Sequence, residues 1–406
     1  MNSFFWRRSL QFTAMNVSLV LVIVGWAAAV AGAAPVTFVF TSDVHFGITR
    51  GSFRGGANVD ATVVNAALVQ AVNDLPAAVL PADTGLRAGQ PVGAVEFAVI
   101  TGDLTSRMEL YPIHIQSATA SWAQFKTCWI DGLALKDARG ARTPLWFVPG
   151  NHDVSNAIGS PSKLVPATDA TALVEIYNRM MRPATPRTKA SYDYAKDNII
   201  YAHDVGGAHL IFLTVWPDTA ARAWIEEDLK TVPAGVPVFI FCHDPPEIDA
   251  RHLTNPYGQH DINSRDKYEN VVRDIYAEVA PATPSNGKPD GPTLIEQRAL
   301  AKFLKAHRNI VGYFHGHSNW TEFSTWKGPD ADLALNVFRA DSPMKGSFSG
   351  KDETKLSFQV VVFDAAAGKL TARECLWNAR SPSEGAASLA WGESRTVSIT
   401  VPQTKM

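Results

Sequence analysis

Cysteine is scarce in this chain, and that scarcity removes several architectures. Only Cys128, Cys242 and Cys375 occur in 406 residues, too few and too scattered for a disulfide framework or a cysteine-rich zinc site. Free cysteine behaves as a small apolar side chain, so three buried thiols are expected; a single bridge would leave one thiol over. Charge of one sign is also missing. The formal balance is −2, which offers no electrostatic reason to bind nucleic acid or an anionic membrane surface. Repeats, heptads and low-complexity tracts are absent too, which excludes solenoids and coiled coils. The remaining composition, 46% hydrophobic and 19% charged, is that of a globular chain with a large core.

Long apolar runs are almost lacking, and the amino-terminal one is short. Residues 17–34 are mostly apolar, follow Arg7 and Arg8, and close on Ala29-Val30-Ala31 and Ala31-Gly32-Ala33. A positive head, an apolar middle and small residues at the end describe a secretory signal. A membrane anchor wants about 20 strongly apolar residues, whereas this run ends in alanine and glycine. Residues 1–33 are therefore expected to be a cleaved signal peptide, giving a periplasmic or extracellular protein. An uncleaved segment would anchor the chain to the membrane. Arg7-Arg8-Ser9-Leu10 also resembles a bacterial twin-arginine signal, although Trp6 and Gln11 depart from it. The preferred reading is that the two arginines supply only the positive head.

Beyond this segment, short apolar strands alternate with amphipathic helices, the pattern of a layered α/β domain. Strands are expected over 36–41, 95–101, 145–148, 210–215, 236–241 and 310–314, with a late β run over 333–339, 356–363 and 369–376. Helices are expected over 60–75, 117–135 and 219–230, and from a capping box at Thr293 and Glu296 to about 307. Residues 47–59 and 76–92 read as loops, and residues 244–292 as a polar insertion that shapes specificity. The expected organisation is one catalytic domain over 34–406, with a β-rich C-terminal part from about 333.

Histidine and aspartate recur at five separated points, each closing an apolar run. They are Asp43-Val44-His45, Gly102-Asp103, Gly150-Asn151-His152-Asp153, His243 and His315-Gly316-His317. Singly each is weak. Gly-Asn and Gly-Asp are first of all turn signals, and a lone histidine is more often structural than a ligand. Five in order, each after an expected strand, would converge on one rim as a two-metal site, the machinery of phosphoester hydrolysis. Carboxylate and imidazole donors suit Mn, Fe or Zn, whereas soft copper sites want sulfur. Asp43 and His45 stand two apart, so both side chains can reach one ion.

These blocks resemble the calcineurin-like metallophosphoesterase superfamily, whose pattern runs D-x-H, G-D, G-N-H-D/E, H and G-H-x-H. The resemblance implies a four-layer fold, a layered β-sandwich flanked by helices, with two divalent metals at strand C-terminal ends. It implies that Asp103 bridges the metals, that Asp43, His45 and His317 complete one, and that Asn151, His243 and His315 complete the other. A hydroxide between the metals would attack phosphorus in line, and His152, a non-ligand on the rim, would assist the leaving oxygen. Imidazole suits that role because its ordinary pKa is about 6.5. Two departures stand out. Phe314 replaces the glycine usual before the first histidine of the last block. Ser106 stands where purple acid phosphatases carry a metal-binding tyrosine, and His45 where they carry glycine, so that subgroup is disfavoured.

The implied partner is a phosphoester substrate, with no nucleic acid indicated. Arg50, Arg54 and Arg107 follow metal-bearing blocks and could grip phosphate oxygens through guanidinium forks, Arg50 being favoured; ordinary surface arginines are the alternative. Asp153 and Asp244 are expected either to orient nearby imidazoles or to cap loops. Tyr257 and Trp320 are open between pocket wall and core. The competing function is a catalytically silent phosphate- or partner-binding protein on the same scaffold; intact ligand positions and His152 favour the enzyme.

Overall fold

A computed structural model describes residues 34–106, 116–154, 170–193, 196–247, 294–379 and 389–401. The expected signal segment, most of the expected insertion, Arg107, Tyr257 and Thr293 lie outside the described residues. No helix among those described is long and apolar enough to cross a membrane.

Two six-stranded sheets carry the structure. β1 (Val36–Thr41) is followed by a hairpin of β2 (Thr49–Phe53) and β3 (Gly56–Asp60), then β4 (Phe97–Thr101) and β5 (Leu145–Val148). Next come β6 (Ile200–Val205), β7 (Ala208–Leu213), β8 (Val238–Phe241), β9 (Ile310–His315), β10 (Glu322–Trp326) and β11 (Leu335–Arg339). β12 (Ser357–Asp364), β13 (Lys369–Leu376) and β14 (Ala390–Ser398) close the series. The first sheet runs β14-β13-β12-β1-β4-β5 and the second β10-β11-β9-β8-β7-β6. β11 thus joins the second sheet and β12–β14 complete the first, so the C-terminal strands belong to the sandwich itself. β1, β4 and β5 are mutually parallel, as are β7, β8, β9 and β11.

Side-chain alternation explains the layering, because successive strand residues face opposite sides. Trp146 turns inward onto Phe97 (4.9 Å between centroids) and Phe212 (5.5 Å). Its neighbour Phe147 turns outward onto Phe125 (5.5 Å) of the helix Ala118–Phe125. Between the sheets, Phe38 and Phe40 meet Phe241 and Phe314, with centroids 5.3–6.4 Å apart. Phe314 therefore fills the interior where a glycine would leave a void. Aromatic pairs at these separations prefer offset or edge-on contact, and both occur here.

The helix Ala61–Asp74 begins at Asp60, whose side chain accepts from Thr62 N at 2.8 Å, and it buries Val64, Leu68, Val69 and Val72 at helical spacing. The helix expected over 117–135 is capped by Ser117, runs regularly to Phe125 and widens over Lys126–Asp131. The helices Thr219–Leu229 and Leu294–Ala306 are tied together by Arg222 and Glu296 at 3.1 Å. Residues 49–60 differ from expectation: they form the β2–β3 hairpin, not a loop. Arg54 and Gly55 both take positive φ (48° and 79°), the two-residue turn that matches strand twist; Arg-Gly is an uncommon sequence for it. All three cysteines are free, Cys242 and Cys375 buried and Cys128 half-buried.

Candidate metal centre

The motif-bearing loops begin where β1 and β4 end, side by side and parallel. Their backbones continue to pair past the sheet: Asp43 N donates to Gly102 O (3.0 Å), His45 N to Asp103 O (2.8 Å), Phe46 N to Leu104 O (3.0 Å) and Ser106 N to Phe46 O (2.7 Å). Asp43, His45, Asp103 and His317 all have positive φ, 44–67°. Such backbone costs about 1–3 kcal/mol per residue and persists only where its surroundings over-determine it. Here it turns four polar side chains onto one spot. Gly102 makes this approach possible, since a Cβ there would stand 2.6 Å from Gly150 N and from His243 Nδ1. At Gly316 a Cβ would collide with Ser42 and Asp43.

Asp153 locks the third loop to the second. Its carboxylate accepts from Gly150 N (3.0 Å), Leu104 N (3.0 Å), Thr105 N (2.8 Å) and Thr105 Oγ1 (3.0 Å). Burial and the nearby Asp103 push it up to about 7 against the pull of these donors. Of its two expected roles, the loop clamp is what the contacts describe. Asp244 sits differently, with its buried Oδ1 at ion-pair distance, 3.3 Å, from His317 Nδ1.

Asp103 lies at the middle of the cluster. Its Oδ2 is 3.5 Å from His45 Nε2, 3.4 Å from His243 Nε2 and 3.9 Å from His152 Nε2. Asp43 Oδ1 is 3.7 Å from His45 Nε2, Asn151 Oδ1 is 3.0 Å from His243 Nε2, and His317 Nδ1 is 3.3 Å from His243 Nε2. Three sets of donor atoms fall within 4.8 Å of one another: His45, Asp103 and His152; Asp43, Asp103 and His243; and His243, Asp244 and His317. Asp103 and His243 are each common to two of them, and Asp103 is the carboxylate of the pair. Asp43 Oδ1 is buried without a hydrogen-bond partner, which costs free energy unless a cation meets it. Hard oxygen and imidazole donors of this kind fit divalent ions.

His315 stands apart from these sets. Its buried ring places Nδ1 3.0 Å from Gly316 O, and burial together with the Arg339 charge holds it well below the usual histidine range. His152 is at the rim. Its backbone N donates to Asp103 Oδ1 (2.8 Å), its Nδ1 is 3.5 Å from Ser106 Oγ, and its ring meets His45 edge-on at 4.8 Å.

The electrostatics concentrate negative charge at the centre. Burial alone would raise Asp103, but His243, His152 and His45 hold it well below the usual carboxylate range. Burial raises Asp43 to about 6. Burial would lower His243, yet Asp103 and the neighbouring carboxylates lift it to about 10. A buried carboxylate pair drawing in positive charge is the environment a divalent cation satisfies.

The arginines expected at the substrate have other contacts. Arg50 is buried, and its guanidinium donates to Ser52 O (2.9 Å), Pro343 O (2.7 Å) and Ser349 O. It braces loop 341–349 through the Pro343 and Ser349 carbonyls. Arg54 Nε donates to Asn378 Oδ1 (2.8 Å), and its guanidinium lies over Phe53 at 4.9 Å. Trp320 is covered by the Arg339 guanidinium at 3.7 Å. Sequence reasoning missed Lys345, whose Nζ reaches within 3.2 Å of His152 Nε2. No sequence signal marks it; strand pairing brings it to the rim. β11 runs parallel to β9, so the segment after Arg339 must emerge on the same rim as His315 and His317.

The family described as calcineurin-like phosphoesterase matches residues 36–321. No curated protein matches the chain. Among solved structures, a dimetal phosphatase from Danio rerio is similar at 9% identity and TM-score 0.46, covering 91% of this chain and 100% of that one. A Vps29 single mutant from Entamoeba histolytica is 10% identical, with TM-score 0.28 and coverage of 89% and 98%. A phosphopantetheinyl hydrolase from Mycobacterium tuberculosis is 10% identical, with TM-score 0.31 and coverage of 77% and 92%.

Proposed function

The chain belongs to the calcineurin-like phosphoesterase family, and from that premise we propose that it is an exported, metal-dependent phosphoester hydrolase. The observation that carries this reading is the placement of Asp103, one buried carboxylate within 3.9 Å of three imidazoles from three different loops. Export rests on residues 1–33 of the sequence alone.

Asp43, His45, Asp103, Asn151, His243 and His317 would hold two divalent ions; His315 joins the set by resemblance. When bound, such ions activate a water near neutral pH and neutralise phosphoryl charge. The chain's own residues do the rest. Asp103 fixes the separation of the two halves, because it is gripped by the backbone of His152 and faced by imidazoles on both sides. Asp244, 3.3 Å from His317 Nδ1, adds negative charge beside that ring. His152, with a half-buried ring, delivers a proton to the leaving oxygen while Ser106 Oγ stands at its other nitrogen. Neutral Asn151 keeps the centre from becoming too anionic to accept a phosphoester.

Turnover of p-nitrophenyl phosphate and bis-p-nitrophenyl phosphate tests the reading, using protein stripped of metal and reloaded with Mn, Fe or Zn. Hydrolysis that returns with metal supports the enzyme. A folded, metal-loaded protein that turns over neither ester would shift the reading to a silent binding protein.

A further inference from the structure

Loop 341–349 lies against the metal centre although no recognisable motif marks it. It leaves β11 beside the last motif, where Ala340 N donates to His315 O at 3.0 Å. Ser342 then docks on the first motif: its Oγ donates to Asp43 O (2.8 Å) and accepts from Met344 N (3.2 Å) and Lys345 N (2.9 Å). Arg50, 293 residues upstream of Pro343, holds that carbonyl and the Ser349 carbonyl from beneath. Ser347 N donates to Asn319 O at 2.6 Å. A short loop is thereby fixed at both ends and at its middle. At its crest is exposed Lys345, with Nζ 3.2 Å from His152 Nε2.

An ammonium has only donors, so in this contact, before substrate enters, His152 Nε2 is the acceptor and carries no proton; it takes up the proton it delivers only once the ammonium has moved off it. The lysine charge therefore stands where the rim histidine would meet the phosphoester. We propose that Lys345 grips a terminal phosphoryl oxygen of the substrate and makes the site selective for phosphomonoesters. This rests on the hydrolase reading above. A monoester presents a terminal dianion, whose extra charge a compact ammonium recognises as a point charge. A diester carries one charge fewer and a second organic arm on that side. Arg50, Ser342 and Lys345 then form one device. The buried arginine and the hydroxyl hold the loop, and the lysine at its crest meets the substrate.

The test compares the metal-reloaded full chain with its Lys345→Met and Lys345→Arg variants. It measures kcat and KM on the two nitrophenyl esters, metal content, and binding of inorganic phosphate by calorimetry. The wild-type protein should prefer the monoester. Lys345→Met should lose about 10- to 100-fold in kcat/KM on it, the range of a charge-assisted hydrogen bond, and at most about threefold on the diester. Phosphate affinity should fall in parallel, metal content should stay, and Lys345→Arg should recover most of the loss. A wild-type preference for the diester, or an equal loss on both esters, overturns the assignment. So does unchanged phosphate affinity in Lys345→Met. If loaded wild-type protein hydrolyses neither ester, the hydrolase reading falls, and phosphate binding by the two proteins still decides the role of Lys345.

Discussion

The two walls of the candidate centre are held in different ways. On the wall formed after β1, β4 and β5, backbone pairs with backbone, and Asp153 alone gathers four donors from two loops. On the opposite wall, loop 341–349 is held chiefly by two side chains, Arg50 and Ser342, with a single backbone bond from Ser347 N to Asn319 O near its crest. The first wall stays in place because many bonds agree on one backbone path, and it presents the metal-binding donors with little freedom. The second depends on a few long-range contacts and presents a flexible lysine. Rigidity suits the ions, whose donor geometry tolerates little error, and a mobile ammonium suits a substrate that must enter and leave.

The sharpest break of this contrast is Asp103→Ala. It removes the carboxylate shared by two donor sets, and both metals should be lost, with turnover falling at least about 1000-fold. By contrast, His152→Ala should keep its metals and lose about 100- to 10,000-fold in kcat as a general acid is removed. Metal analysis beside kinetics separates the two, and equal metal loss would refute the division of roles. Next in size is Asp153→Ala, which strands four buried donors. Unfolding in urea should show a loss of about 3–5 kcal/mol, and a loss below about 1 kcal/mol would mean that the backbone pairing holds the first wall by itself.

Arg50→Met probes the second wall. Stability should fall by about 2–3 kcal/mol, for two buried carbonyls losing a charged donor, while metal content stays. KM for phosphate esters should rise, because the loop bearing Lys345 is released. An unchanged KM would separate loop position from substrate binding.

The smallest effect is expected far from both walls, at the opposite end of β7. Burial would lower His209, but bonds to Asp204 and Asp228, each at 2.7 Å, raise it to about 9. A raised histidine stabilises the fold fully below its unfolded pKa of about 6.5, and that contribution is lost as pH rises through 9. His209→Gln should therefore cost about 1–2 kcal/mol at pH 6, discounted because Asp204 is exposed, and much less at pH 10. A cost independent of pH would show that packing, and not charge, holds His209.

Much of this architecture was legible from local pattern. The strands at β1, β4, β5, β8 and β9 read directly from short apolar runs, and the helices starting near Asp60 and Ser117 from their apolar spacing. Phe314, a departure from the family pattern, makes sense only against Phe38 and Phe40 across the sandwich and Phe241 beside it on β8. The β2–β3 hairpin escaped because its turn uses Arg-Gly. The contacts of Arg50 were not legible for a related reason: closeness in sequence to His45 says nothing about the direction of its side chain, which runs to carbonyls almost 300 residues away.

By itself the sequence determined the α/β alternation, the order of the five polar blocks and the residue types available to ions. Those follow from short-range rules, since strand period, turn chemistry and donor type are properties of a few adjacent residues. The tertiary structure decided which donors meet, that Asp153 clamps loops, that Arg50 braces a loop, and that Lys345 faces His152. Each of these depends on where separate strands end relative to one another. That relation is set by the pairing of β1 with β4 and of β9 with β11, and by the packing of one sheet on the other.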